Sequence, residues 1–224
     1  MIHYSDEKTD VSTLTNAIYA ENATSPKGLA ETTITLPIKM KNAVSITSYQ
    51  FTLVLPDGFE LAKDPEDDDY YLAEVSTDRT TTRRHDSFRC SRQSDGSYLV
   101  TCASSSNAVF SGNDGNVAVL TILASEGVEP GDYHLHIRDA VMTESGTNAS
   151  IYPPNVNFSL TLEDYLIGDA NGDGVVNISD YSMVISYLHG TVVGTCNVKA
   201  MDVNGDGIVN ISDASAVISK LHDN

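Results

Sequence analysis

From Thr33 to Leu162 apolar and polar positions alternate with a period of two, the signature of half-buried strands. Ile34, Leu36, Ile38 and Met40 share one side of 33–41; Thr35, Pro37, Lys39 and Lys41 share the other. Pro37 cannot donate a ladder hydrogen bond, so this strand is expected at an edge or locally irregular. In 46–55, Tyr49, Phe51, Leu53 and Leu55 are expected inward, before a turn at Pro56-Asp57-Gly58 and a return to the core at Leu61. Further strands are expected at 16–21, 70–75, 87–93, 97–103, 117–123, 133–141 and 155–162. Residues 2–16 read as a polar tail, Ser25–Gly28 as a turn and Asp64–Asp69 as a solvated acidic loop. Ser94-Asp95-Gly96 is a hairpin signal. If its centre lies near Gly96, Cys90 and Cys102 face each other and can be bridged; a one-residue slip separates them. Eight to nine short strands without helical periodicity predict a mainly β sandwich of the Ig-like or jelly-roll type.

Beyond Asp164 the period changes. Ile178, Tyr181, Val184, Ile185 and Leu188 recur at helical spacing, and so do Ile211, Ala214, Val217, Ile218 and Leu221. Each stripe reads as the shared core of two helices, the first stopped by His189-Gly190. Thr191–Lys199 reads as a connection in which Cys196 packs between the repeats. Each helix follows a twelve-residue acidic loop. The blocks 168–188 and 201–221 are identical at 15 of 21 positions, at an offset of 33 residues. A self-similar block at a fixed offset is one structural unit used twice.

The loop spacing has a chemical reason. Calcium takes 6–8 oxygen ligands, which a twelve-residue loop supplies from positions 1, 3, 5, 7, 9 and 12. Here these are Asp169, Asn171, Asp173, the carbonyl of Val175, Asn177 and Asp180, then Asp202, Asn204, Asp206, the carbonyl of Ile208, Asn210 and Asp213. Position 6, where the chain turns sharply, is Gly174 and Gly207. Two Ca2+ ions are expected, and they should supply much of the folding free energy of so small a core.

Composition narrows the function. The 224 residues suit two domains, divided at 1–162 and 163–224, and an apolar content of 41% suffices for real cores. A formal net charge of −18 argues against nucleic acid, which needs a basic surface. No apolar run is long enough to span a membrane. Residues 1–30 lack the order of a signal peptide, so an exported protein would have lost it or begin at an internal start. Catalytic motifs are absent. His85-Asp86 pairs a base with an orienter but lacks a nucleophile motif, and His134 and His136 read as solvated strand residues. The chain reads as no enzyme.

Two departures from the usual EF-hand are informative: Asp stands at position 12 where Glu is usual, and no entering helix precedes Asp169. The Gly168-Asp-x-Asn-x-Asp-Gly opening and the Ala200-Met-Asp-Val-Asn-Gly-Asp-Gly approach make 163–224 resemble the dockerin type I module. That module is all-α, with two loop–helix repeats. The resemblance implies calcium-dependent docking to a cohesin-type module, with specificity at loop positions 10 and 11. These are Ile178-Ser179 and Ile211-Ser212. Their identity suggests a face with near two-fold symmetry, although family members often carry a hydroxyl residue where Ile178 and Ile211 stand. Both isoleucines also read as core residues, which would put the face elsewhere.

The run from Glu31 to Leu61, with its apolar-Pro-apolar strand and aromatic-containing strand, looks like the opening of a cohesin module. Val117–Leu123 and 131–141 resemble the later strands of that family. Related carbohydrate-binding sandwiches share the pattern. The expected function is therefore a non-catalytic extracellular or cell-surface adaptor in a polysaccharide-degrading complex. The sandwich would bind a dockerin, a glycan or nothing. A carbohydrate-binding protein anchored through its dockerin is the first alternative. A structural surface module with the dockerin packed on the sandwich is the second.

Overall fold

The computed structural model describes residues 7–26 and 32–222. They fall into two compact units, one of residues 7–23, 33–128 and 132–161, the other of 24–26, 32, 129–131 and 162–222.

The first unit is a sandwich of two sheets. One holds β1 (Ala17–Tyr19), β3 (Thr32–Lys41), β9 (Asp114–Ala124) and β5 (Phe59–Leu61) in that order, with β6 (Ala73–Val75) also on β9. The other runs β12 (Val156–Glu163), β10 (Gly131–Glu144), β4 (Ile46–Val54), β8 (Tyr98–Ala103) and β7 (Ser87–Arg92), with β11 (Ser150–Ile151) on β10. β1–β3, β5–β9, β6–β9, β4–β10, β4–β8, β7–β8 and β10–β11 pair antiparallel. β2 (Ala23–Pro26) begins in the first unit and ends in the second.

The core is made by the alternation. Ile34, Leu36, Ile38 and Met40 of β3 are buried, as are Tyr49, Phe51 and Leu53 of β4. Leu120 and Ile122 of β9 and Leu135 and Ile137 of β10 are buried with them. Burying a large aliphatic or aromatic side chain contributes about 1.5–3 kcal/mol, so this interior suffices to hold two sheets together.

Several expectations are corrected. Pro37 is at an edge only locally, since β3 as a whole lies between β1 and β9. It is tolerated because β1 pairs only with Lys39–Lys41, leaving position 37 without a ladder partner on that side among the described residues. Leu55 lies past the end of β4 and is half-buried. The strand expected at 70–75 shrinks to Ala73–Val75; Tyr70 is exposed and Tyr71 joins a single bridge to Lys63. His136 is buried, with Nδ1 2.9 Å from Asn157 Oδ1, rather than solvated. From residue 7 onward the expected tail is ordered: Thr9 N donates to Asn157 O, and Val11–Thr13 form a 3-10 turn. Residues 2–6 of that tail, and Lys27 and Gly28 of the expected turn, lie outside the described residues; Ser25 and Pro26 close β2.

The β7–β8 hairpin forms with its centre one residue earlier than Gly96. Cys90 pairs with Val100, and Phe88 with Cys102. The two cysteines are diagonal neighbours, and both are free thiols. Burial pushes each up to about 12, so neither is a thiolate at neutral pH.

The second unit carries α1 (Ile178–Leu188), α2 (Val198–Met201) and α3 (Ile211–His222). α2 is a single turn that the apolar pattern did not show, begun by Asn197, whose Oδ1 accepts from Ala200 N at 3.3 Å. A helical turn therefore precedes the second loop, whereas none precedes the first. α1 stops at His189, and Gly190 follows at φ 67°, a left-handed position that glycine accepts readily. Ala170, Val184, Met201, Ala214 and Val217 make the core, with Tyr181, Ile185 and Cys196 packed against it.

Candidate metal centres and partner face

Both loops are built on backbone N–H groups that donate to carboxylates. Asp169, nearly buried, accepts from Gly172 N (2.7 Å), Asp173 N (3.1 Å) and Gly174 N (2.7 Å). Asp202 accepts from Asp206 N (3.1 Å) and Gly207 N (2.8 Å). Such folding-back needs left-handed backbone at position 6, and Gly174 and Gly207 adopt φ 85° and 82°.

Position 12 closes each loop. Asp180, fully buried, accepts from Asn171 N (3.1 Å) on one oxygen and Asn177 N (2.8 Å) on the other. Asp213, equally buried, accepts from Val203 N (2.9 Å), Asn204 N (3.2 Å) and Asn210 N (2.9 Å). Asp180 is also the third residue of α1, in a reciprocal capping box with Asn177. One aspartate thus ties the loop to the helix. Asn177-x-x-Asp180 and Asn210-x-x-Asp213 were legible as caps in the sequence, but the ligand spacing masked that second role.

The middle positions converge. Asn171 Nδ2 donates to Asp173 Oδ2 at 3.0 Å and Asn177 Nδ2 to Val175 O at 3.3 Å. In the second loop Asn204 Nδ2 donates to Asp206 Oδ2 at 3.0 Å and Asn210 Nδ2 to Ile208 O at 3.0 Å. Position 3 is therefore one hydrogen bond from position 5, and position 9 one from position 7, in both repeats. Each amide N–H2 places its weak positive charge against oxygens that a cation would hold more strongly. Among the described residues no three His, Cys, Asp or Glu side chains gather as a ligand group. The donors here are instead a mixture of carboxylate, amide and carbonyl oxygen. That mixture fits a hard divalent cation and offers no imidazole or thiolate to a transition metal.

The expected partner residues lie outside the core. Ile178 and Ile211 are 59% and 63% exposed, and Ser179 and Ser212 are exposed beside them. The core reading of Ile178 and Ile211 is therefore corrected: Val184, Ala214 and Val217 fill that interior instead. Leu188 is likewise exposed. The side chains of Val175 and Ile208, 57% and 66% exposed, extend the same feature in both repeats, which the sequence reading used only for their carbonyls. In the sandwich, the His85-Asp86 pair points apart. His85 is buried and bonded to Thr80, whereas exposed Asp86 accepts from Ser105. No catalytic grouping forms there.

Two equivalent acidic loops, each followed by a helix that begins with an exposed Ile-Ser pair, thus lie C-terminal to a β sandwich. Residues 167–222 match the family model described as the dockerin type I domain, a calcium-binding module. The sandwich has a cohesin-like fold. The sixth cohesin of scaffoldin B from Acetivibrio cellulolyticus, solved with a dockerin, is similar at a TM-score of 0.53 and 16% identity, over 67% of this chain and all of that one. A cohesin from Clostridium acetobutylicum gives 0.53 at 15% identity, over 70% of this chain and 94% of that one. A type I cohesin from Clostridium thermocellum, also solved with a dockerin, gives 0.53 at 15% identity, over 67% and 100%. No curated protein matches the chain. Among the described residues no helix is long and apolar enough to cross a membrane.

Proposed function

We propose that the chain is an extracellular or cell-surface adaptor whose C-terminal module docks a cohesin-type partner when both loops hold Ca2+. The observation that carries this reading is the duplicated site: two equivalent oxygen sets, each followed by an exposed Ile-Ser pair at the start of a helix. Asp169, Asn171, Asp173, Val175, Asn177 and Asp180 would hold one ion; Asp202, Asn204, Asp206, Ile208, Asn210 and Asp213 would hold the other. Bound calcium screens three carboxylates per loop and fixes each loop against its helix. The face is then organised before the partner arrives, which lowers the ordering cost of binding.

The two Ile-Ser pairs are equivalent, so either helix can lead, in two orientations related by about 180°. Calorimetric titration of the chain with a panel of cohesin modules, with calcium and then with chelator, tests both points. Binding should vanish with chelator. Changing Ile178 and Ser179 to Asp should leave an orientation intact, and changing Ile211 and Ser212 as well should abolish binding. Loss on changing the first pair alone, together with a complex in one orientation, would overturn the two-fold reading.

A further inference from the structure

The cations of this chain are unevenly placed. Of 13 Lys and Arg, five are arginines between positions 79 and 92, a stretch whose one acid is Asp86. Elsewhere the cations are seven lysines and Arg138, against 31 Asp and Glu in the whole chain. The stretch therefore combines local positive charge with the exclusive use of guanidinium.

The five arginines divide by environment. Arg79 is buried, donating to Met40 O (2.6 Å), Ser111 O (2.7 Å), Asn42 Oδ1 (2.8 Å) and Gly112 O (2.8 Å). Arg92 is exposed, 3.8 Å from Glu60. Arg83, Arg84 and Arg89 are exposed, and no carboxylate lies within ion-pair distance of them among the described residues. Arg89 stands on β7, the last strand in its sheet's order, and Arg83 and Arg84 on the turn just before it.

That turn is held from both ends. On one side Arg79 is pinned by its four acceptors and Thr80 is bonded to His85. On the other, buried His85 stacks on Phe110 at 3.7 Å, and Asp86 accepts from Ser105 N at 3.0 Å and Ser105 Oγ at 2.5 Å. Arg84 N and His85 N both donate to Thr81 O, closing the turn. Buried polar groups are thus spent on fixing a turn whose tip is two free guanidinium groups. A fixed turn loses little freedom on binding, and guanidinium is the cation that matches a carboxylate in two parallel hydrogen bonds.

We propose that Arg83, Arg84 and Arg89 form a second docking surface, on the sandwich, for an acidic protein partner. Charge complementarity selects the sign. Within 79–92 the rings are His85, buried, and Phe88, half-buried, so this stretch offers no fully exposed ring for a sugar to stack on, which favours protein over polysaccharide. This surface needs no calcium, which separates it from the docking proposed for the C-terminal module.

The test is calorimetric titration of the full chain with poly-L-glutamate and, separately, with polygalacturonate, with calcium and again with chelator. Poly-L-glutamate should bind in both conditions, more weakly as salt rises. The Arg83→Gln/Arg84→Gln/Arg89→Gln variant, with an unchanged melting temperature, should lose at least about tenfold in affinity. The Lys39→Gln/Lys41→Gln control should not. The triple Arg→Lys variant keeps the charge and should still be weaker by about threefold or more. Equal affinity in the Gln variant, equal affinity in the Lys variant, or tighter binding of polygalacturonate than of poly-L-glutamate would each overturn the proposal.

Discussion

The sandwich and the C-terminal module solve the same problem with different physics. In the sandwich, stability lies in apolar surface: Phe51, Leu53, Leu120, Ile122, Leu135 and Ile137 are all fully buried between the sheets. In the module the interior is Ala170, Val184, Met201, Ala214 and Val217, two of them alanines, while Asp180 and Asp213 are as deeply buried as any apolar residue. The sandwich can hold its form by exclusion of water. The module's carboxylates repel one another unless a cation stands among them. The two parts of one chain thus differ in what fills their interiors: large apolar side chains in the sandwich, and small ones beside buried, backbone-bonded aspartates in the module.

The largest effect should come from chelation. Removing calcium should unfold 163–224 and leave the sandwich intact, so amide exchange should protect residues 33–162 and release 178–222. Calcium at a thousandfold over its Kd should add about 4 kcal/mol to the module. Simultaneous loss of both units would break the comparison. Next, Phe51→Ala should cost the sandwich about 3–5 kcal/mol by leaving a cavity, while the calcium affinity, read by titration, stays unchanged. Asp213→Ala should cost the module about 1.5–3 kcal/mol or more by leaving backbone donors of Val203, Asn204 and Asn210 without their charged acceptor. Its melting temperature should fall and the sandwich transition should not move.

A smaller effect is pH-dependent. Burial holds the pKa of His85 below its ordinary value of 6.5. The folded sandwich therefore binds this proton less readily than the unfolded chain. The contribution of neutral His85 is complete above pH 6.5 and is lost as pH falls below it towards the folded value. Denaturant midpoints of the sandwich should decline across that window, and less so in His85→Leu than in the wild type. Smallest of all, Ile178→Asp should change the stability of the calcium-loaded module by no more than about 0.5 kcal/mol, because the side chain is exposed. A large loss in thermal melting would return Ile178 to the core.

The sandwich was legible where alternation was regular. β3 and β4 present the buried side that the pattern marks, because a strand with one wet face must sort its side chains by parity, whereas in β10 Leu135 and Ile137 are buried as marked but His136 between them is buried too. It was less legible at Tyr70–Leu72, where an apolar run continues past the ladder that could pair it. α2 was hidden because a single turn is too short to show a period, and its signal was only Asn197 as a cap. The loops' turns and carboxylates were legible almost residue by residue, since they are spaced along twelve consecutive residues.

By itself the sequence determined the alternation that builds two sheets, the duplicated loop–helix repeat and the oxygen donors at each loop position. These are local properties: a side chain's parity, its place in a helical turn and its distance along a short loop hold whatever surrounds them. Only the tertiary structure decided the rest. It set the Cys90–Val100 register, because a strand's register depends on the whole ladder it joins. It put Pro37 at a local edge of a strand that is otherwise central, because β1 ends before reaching it. It left Ile178 and Ile211 in solvent and buried Val184 and Val217, because helical spacing marks an apolar stripe but not how much of it the opposing helix covers.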